Sequence, residues 1–120
     1  MILRLVREGL GRLIVLVDFI TRPKPLQRSD EDQQKVDDQT KALSLYQFYA
    51  CPFCVKVRRV IHQLNLSIEY RDAQHHPDHR QTLLEEGGRI KVPCLRIQEG
   101  NTAKWLYESR DIIDYIRDRF

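Results

Sequence analysis

Cysteine is scarce in this 120-residue sequence, with only three residues. That is far below the density of a small secreted domain stapled by disulfides, and it points to a reducing compartment. Glycine and proline number five each, too few for a collagen-like or low-complexity chain. With 42% hydrophobic and 31% charged residues, the composition is that of one globular domain of ordinary size plus an appendage. Long apolar runs are missing as well. In the N-terminal segment the longest uncharged stretch is Leu13–Val17, between Arg12 and Asp18. A bilayer span needs roughly 20 apolar residues. A cleaved signal peptide needs an unbroken apolar region of about 7 to 15 residues and a small-residue cleavage site. Asp18-Phe19-Ile20-Thr21-Arg22-Pro23 provides neither, so the expected location is cytoplasmic, with peripheral contact at the inner face of a membrane as the variant. Basic and aromatic residues do not cluster, so no nucleic-acid partner is expected. The single Met is the first residue, which rules out a methionine-rich binding surface.

The net charge of +3 is unevenly spread. Residues 1–28 hold six basic and two acidic side chains, residues 29–42 two and five, and residues 43–120 twelve and ten. The basic excess is N-terminal, and it coincides with a helical pattern over residues 1–20. There Ile2, Leu5, Val6, Leu10, Leu13, Leu16, Val17 and Ile20 share one face, while Arg4, Arg7, Glu8, Arg12 and Asp18 share the other. Such a helix can lie in a membrane interface, pack on a partner, or fold back on its own domain. Arg22-Pro23-Lys24-Pro25 breaks it, because each proline lacks an amide donor and disfavours helix in the residue before it. Residues 21–42 then read as a polar linker. Within it, Ser29 is an N-cap for a short helix over 30–41 whose bland reading is a solvated spacer.

Residues 43–120 form the main unit. Leu43–Tyr49 reads as a buried strand, Pro52 opens a helix that Asn65 ends, and Ser67–Arg71 alternates as a second strand. In that first helix Val55, Val57, Val60, Ile61 and Leu64 face inward, and Lys56, Arg58, Arg59 and Gln63 are expected to face water. Pro77–Glu86 reads as a helix closed by Gly87-Gly88. Cys94–Gln98 and Ala103–Tyr107 form a hairpin, and Ser109–Phe120 a last helix with Ile112, Ile113 and Ile116 inward. Helix-linked strands are parallel and hairpin strands antiparallel, so the class is α/β: a four-stranded mixed sheet flanked by three helices, with the N-terminal amphipathic helix appended.

Cys51 and Cys54 form a C-x-x-C pair at the junction of the first strand and the next helix. A cysteine there meets unpaired amides and the positive end of the helix dipole, which favour thiolate, so Cys51 is the expected nucleophile. Cys54, one turn in and more buried, is placed to resolve a mixed disulfide at Cys51. Zinc would need further ligands from Cys94 or His62, His75, His76 and His79, and none stands at metal spacing beside a second C-x-x-C. No metal is therefore expected, and the His75–His79 run reads as a solvated helix start. Cys94 reads as a small buried hydrophobe, and Trp105 as packing for the hairpin.

Cys51-Pro52-Phe53-Cys54, Lys91-Val92-Pro93-Cys94-Leu95 and Tyr107-Glu108-Ser109-Arg110-Asp111-Ile112-Ile113, in that order, resemble a glutaredoxin. The resemblance covers residues 43–120. It is nearest to the glutaredoxin-like N-terminal domain of glutathione transferases and of the two-domain bacterial glutaredoxin 2. It implies a thioredoxin fold with cis Pro93 and with the Val92 backbone pairing the cysteinyl part of glutathione. It also implies that Glu108 receives the γ-glutamyl ammonium and Ser109, at a helix N-terminus, the carboxylate. His76 stands where some omega-type transferases have a lysine for the glycyl carboxylate. The implied activity is glutathione-dependent reduction of disulfide or glutathionylated proteins, with glutathione as reductant. A membrane-recruited glutathione-binding module and an iron-sulfur carrier are the alternatives. The chain departs from the pattern at Phe48, where glutaredoxins carry a lysine three residues before the first cysteine. Lys56, His76, Arg89 and Lys91 are the candidate replacements for that charge. The all-helical domain of transferases is not expected, so conjugation of drug-like electrophiles is not the expected activity.

Overall fold

The computed structural model describes residues 2–22 and 24–120. Met1, the helix-breaking Pro23 and the side chain of Arg4 lie outside the described residues. The chain runs α1 (Ile2–Thr21), α2 (Asp30–Thr40), β1 (Leu43–Gln47), α3 (Pro52–Gln63), β2 (Glu69–Asp72), α4 (Pro77–Glu85), β3 (Cys94–Glu99), β4 (Thr102–Tyr107) and α5 (Ser109–Arg119).

Sheet order is β2-β1-β3-β4, with β1 parallel to β2 and antiparallel to β3, and β3 antiparallel to β4. This is the mixed thioredoxin-type sheet expected from the order of elements. Because β1 is central and both its faces are covered, four of its five residues are buried. Leu43 and Leu45 point to the side of α3 and α5, where they pack with Val57, Val60, Ile61, Leu95, Ile97, Ile112, Ile113 and Ile116. Tyr46 and Cys94, register partners, point to the other side and pack with Ala73 and Leu83 of the α4 layer. Trp105 lies 5.3 Å from the Tyr46 ring and serves as packing. The hairpin is tighter than the sequence spacing indicates, since β3 and β4 extend to Glu99 and Thr102 and leave Gly100-Asn101 as the turn. Conversely, β1 stops at Gln47, because Phe48 accepts a hydrogen bond from the Cys51 amide (3.3 Å) and the chain turns there toward α3.

The segment before β1 is anchored. Ser29 caps α2 by accepting from the Asp32 amide at 3.2 Å. Leu26 donates its amide to the Gln63 carbonyl, and Arg28 donates to the Leu64 carbonyl at 2.7 Å. Both contacts satisfy carbonyls at the end of α3, which would otherwise lack intrahelical partners. Asn65, at φ 53°, ends that helix as expected and also holds the Leu26 carbonyl.

The seating of α1 corrects the sequence reading. Asp18, placed on the polar face, is 5% exposed and paired with Arg22 at 2.8 Å and Arg59 of α3 at 3.2 Å. Gly11 is the other buried position among the described residues of this helix, and a Cβ there would come within 2.6 Å of the Ala50 carbonyl oxygen. Helix α1 thus folds back through a narrow seam of Gly11, Ile14, Val15 and Asp18, at helical spacing. All eight residues of the apolar face are more than half exposed, from Val17 at 51% to Ile2 at 77%. Gly11→Val is therefore expected to lift α1 off Ala50. Most of the stability of a helix in a protein comes from tertiary packing rather than propensity. Hydrogen exchange at amides 12–21 should accelerate at least about tenfold while α3 stays protected; unchanged exchange at 12–21 would contradict this docking.

Candidate active site

Residues Phe48–Ala50 carry the chain from the sheet to α3, and Cys51 is the N-cap residue with extended backbone angles (φ −73°, ψ 124°). Pro52 follows in the first helical turn, where its missing amide costs nothing and its fixed φ suits the helix. Cys51 is half-buried and Cys54 fully buried, and both are free thiols. Cys51 is lowered to about 6 chiefly by the hydrogen bond donated from the Cys54 thiol. Burial works against that shift, and the amides of Cys54 and Phe53 and the charge of Arg58 reinforce it. The donated bond, more than the helix amides alone, sets the thiolate. Cys54 is shifted strongly upward by the same bond and by burial, so it remains a thiol while Cys51 is charged.

Arg58 is the cation of this site, and the sequence reading put it in water. Its guanidinium is buried beneath the cysteines' turn, donating to Gln47 Oε1 at 2.5 Å and to the Tyr49 carbonyl at 2.6 Å. It also sits 5.4 Å from the Tyr49 ring centre. Its contact with the loop explains both roles: it fixes the end of β1 and contributes positive potential at Cys51. A sequence signal existed, because residues four apart on a helix are neighbours and Arg58 is four after the inward-facing Cys54. Lys56, His76, Arg89 and Lys91, named as substitutes for the absent lysine, are not among the charges that lower Cys51.

The second part of the site is a small cleft of about 120 Å³ lined by Phe53, Lys91, Val92, Pro93, Glu108 and Ser109. The Val92-Pro93 peptide is cis, as expected. Glu108 precedes α5 at φ 70°, a left-handed conformation that side chains rarely adopt, and Ser109 is the first residue of that helix. Lys91 Nζ pairs with Glu108 Oε1, which holds the Glu108 carboxyl below its ordinary range. The structure thus gathers four of the sequence-designated residues, Val92, Pro93, Glu108 and Ser109, into one cleft. His76 is not among its lining residues. Its Nδ1 accepts from the His79 amide at 3.4 Å to cap α4, and its ring stacks on His79 at 4.0 Å. Cys94, behind Pro93, is buried in the core and pushed up to about 11 by desolvation, so it takes no part in thiolate chemistry. Among the described residues no group of three or more His, Cys, Asp or Glu side chains is arranged to hold a metal ion. No helix among them is long and apolar enough to cross a membrane.

A cysteine of lowered pKa at a helix N-terminus, a buried thiol hydrogen-bonded to it and the cis-proline cleft together suit exchange at a sulfur atom. Residues 45–120 match the family described as glutathione S-transferase, N-terminal domain. A curated relative, prostaglandin E synthase 2 of Mus musculus, is 36% identical over 75 residues, which are 62% of this chain and 19% of that protein. The chain thus spans about a fifth of that relative's length. Among solved structures, glutathione transferase Omega 2C from Trametes versicolor is similar over 65% of this chain and 37% of its own, with 21% identity and a TM-score of 0.49. A mutant alkylhydroperoxide reductase of Enterococcus faecalis is similar over 91% of this chain and 52% of its own, with 17% identity and a TM-score of 0.42. With the family match extending from β1 to the end of α5, the chain belongs to the thioredoxin-like glutathione S-transferase N-terminal domain family.

Proposed function

We propose that the chain is a glutathione-dependent thiol-disulfide oxidoreductase acting through the Cys51-Pro52-Phe53-Cys54 dithiol. The observation that carries this reading is the asymmetry of the two cysteines, with Cys51 lowered to about 6 and Cys54 shifted upward as its hydrogen-bond donor. Cys51 attacks a disulfide as thiolate, and Cys54 or a second glutathione releases the mixed disulfide that forms. In the cleft, the Val92 backbone pairs with the cysteinyl part of glutathione. Glu108 receives the ammonium, and the α5 N-terminus at Ser109 receives the α-carboxylate. Lys91, paired with Glu108, holds that carboxylate in place within the cleft. The test is turnover of the mixed disulfide of glutathione and 2-mercaptoethanol, coupled to NADPH oxidation by glutathione reductase. Rates at background for the wild type would overturn the proposal. Glu108→Ala is expected to raise the KM for glutathione about tenfold and to leave kcat within about threefold. A fall in kcat with KM unchanged would remove Glu108 from the binding role.

The open apolar face of α1 favours a second property of the same protein, peripheral binding to an anionic membrane. Leu5, Val6, Leu13 and Val17 are exposed on this face, and the exposed Arg7 and Arg12 belong to a segment of net charge +4. An interfacial helix combines these features. The full chain should co-sediment with vesicles rich in anionic phospholipid, and Leu5→Glu with Leu13→Glu should cut the bound fraction at least about fivefold. Equal pelleting of both proteins would exclude this surface.

A further inference from the structure

Helices α3 and α5 pack on one face of the sheet and run in the same direction, because each follows a strand that is antiparallel to β3. Between their outer surfaces lies a groove of about 420 Å³. Its α3 wall is Lys56, Arg59, Val60 and Gln63, and its α5 wall is Arg110, Ile113, Asp114 and Arg117. Both sets follow the i, i+3, i+4, i+7 spacing of one helix face, so the walls are matched along their length. Lys56 stands with Arg110 at one end of the groove, and Gln63 with Arg117 at the other. Val60 and Ile113, both buried, are the apolar floor. Four cations thus meet a single acid. Lys56, Arg110 and Arg117 are exposed and, among the described residues, in no ion pair. Arg59 is committed elsewhere, since its guanidinium holds Asp18 at 3.2 Å and the Thr21 carbonyl at 2.9 Å, at the end of α1.

From this arrangement we infer that the groove is a binding site for a ligand carrying two phosphate groups joined by a short, hydroxyl-bearing spacer. Like charges gathered in one cleft raise the local concentration of anions, and an entering anion relieves their mutual repulsion. Arg110 and Arg117 are seven residues apart on α5, roughly 10 Å along the axis at 1.5 Å per residue. Two anionic groups are needed to engage both ends at once. Asp114 lies between the ends and repels a charge at the centre, while its carboxylate can accept a hydrogen bond from a spacer hydroxyl. Each guanidinium presents paired N–H donors that match phosphate oxygens, and Lys56 adds a point charge beside Arg110. Two sources supply this chemistry: a soluble bisphosphate, and the headgroup of a diphosphatidyl lipid, in which glycerol joins two phosphates. Through Arg59 the groove adjoins the end of α1, whose apolar face is open, so the lipid is the source that the structure favours. That choice of source rests on the membrane reading of α1; the two-phosphate site does not.

Two measurements on the full-length protein separate the site from its source. The first is calorimetric titration with fructose 1,6-bisphosphate, a soluble probe with two phosphates. Arg110→Gln combined with Arg117→Gln should weaken its binding at least about tenfold. Lys41→Gln combined with Lys104→Gln removes the same charge from exposed positions outside the groove and should leave the affinity within about twofold. Adipate, a dicarboxylate, should bind at least about tenfold more weakly than the bisphosphate, and equal affinity would overturn the phosphate assignment. The second is co-sedimentation with phosphatidylcholine vesicles containing either cardiolipin or phosphatidylglycerol at equal phosphate content. The wild type should favour the cardiolipin vesicles at least about fivefold, and the Arg110, Arg117 double variant should lose that preference. Leu5→Glu with Leu13→Glu should lower pelleting on both kinds of vesicle while the titration stays unchanged, so a failure of the membrane reading shows separately from a failure of the site. Bisphosphate binding lost only in the groove variant, without a cardiolipin preference, assigns the site to a soluble ligand; the reverse pattern assigns it to the lipid. Absence of both responses in the wild type, or equal losses in the two charge-matched double variants, overturns the inference.

Discussion

Replacement of Cys51 by serine is expected to lower glutathione-disulfide turnover by at least about a thousandfold, to the background of the coupled assay. The magnitude follows from the chemistry of the three sulfurs. Only a thiolate attacks a disulfide at a useful rate, and with Cys51 lowered to about 6, thiolate is its main form at pH 7. No other cysteine can substitute. Cys54 is buried and shifted upward, and Cys94 is buried and pushed up to about 11. A serine hydroxyl stays protonated at this pH and accepts the Cys54 hydrogen bond without becoming a nucleophile. Residual turnover above a few per cent in Cys51→Ser would mean that a different group carries the reaction.

Cys54→Ala should produce the second large effect, and its sign is fixed by which partner donates. The Cys54 thiol donates to Cys51 and stabilises its charged form; removing that donor, the largest cause of the shift, raises Cys51 toward the ordinary range near 8.5 to 9. The alkylation rate of the wild type should rise with pH through a midpoint near 6 and level off above it. In Cys54→Ala the midpoint should move up by at least one unit, since only the amides of Cys54 and Phe53 and the Arg58 charge remain. The variant keeps reduction of glutathione mixed disulfides, because a second glutathione can release the adduct on Cys51. It loses reduction of protein disulfides that require the dithiol route. An unmoved midpoint would show that the helix amides and Arg58 alone set the thiolate, which would weaken the pairing argument.

The fold was legible because its signals are local. Apolar Leu43–Tyr49 before a C-x-x-C, proline in the first turn of α3, and the Gly-containing turn between β3 and β4 each specify an element by their own chemistry. Cys51 and Cys54 were legible by position, at the helix N-terminus and one turn in, whereas the largest cause of their inequality, the hydrogen bond from the Cys54 thiol to Cys51, depends on side-chain placement. The cleft was readable at Val92, Pro93, Glu108 and Ser109 through ordered motifs, whereas its Lys91–Glu108 pair joins residues seventeen apart in different elements.

What stayed hidden depends on tertiary docking. Residue type placed Arg58 and Asp18 in solvent, yet both are buried because each finds partners in another element: Gln47 and Tyr49 for Arg58, Arg59 for Asp18. The wide apolar stripe of α1 is exposed, and the helix is seated instead by the narrow seam of Gly11, Ile14, Val15 and Asp18. The usable signal was Gly11, a helix-weakening residue retained where the backbone of Ala50 comes close. His76 followed the family pattern by position, but its ring is engaged in capping α4.

The most direct test of the central claim is to trap the covalent intermediate. Cys54→Ala protein, which lacks the resolving thiol, is mixed with a stoichiometric glutathione mixed disulfide, and the products are read by intact and peptide mass spectrometry. The account predicts one glutathione per chain, on Cys51, formed with the pH dependence of a thiolate and discharged by added reduced glutathione. An unmodified protein, or an adduct formed equally when Cys51 is serine, would contradict it.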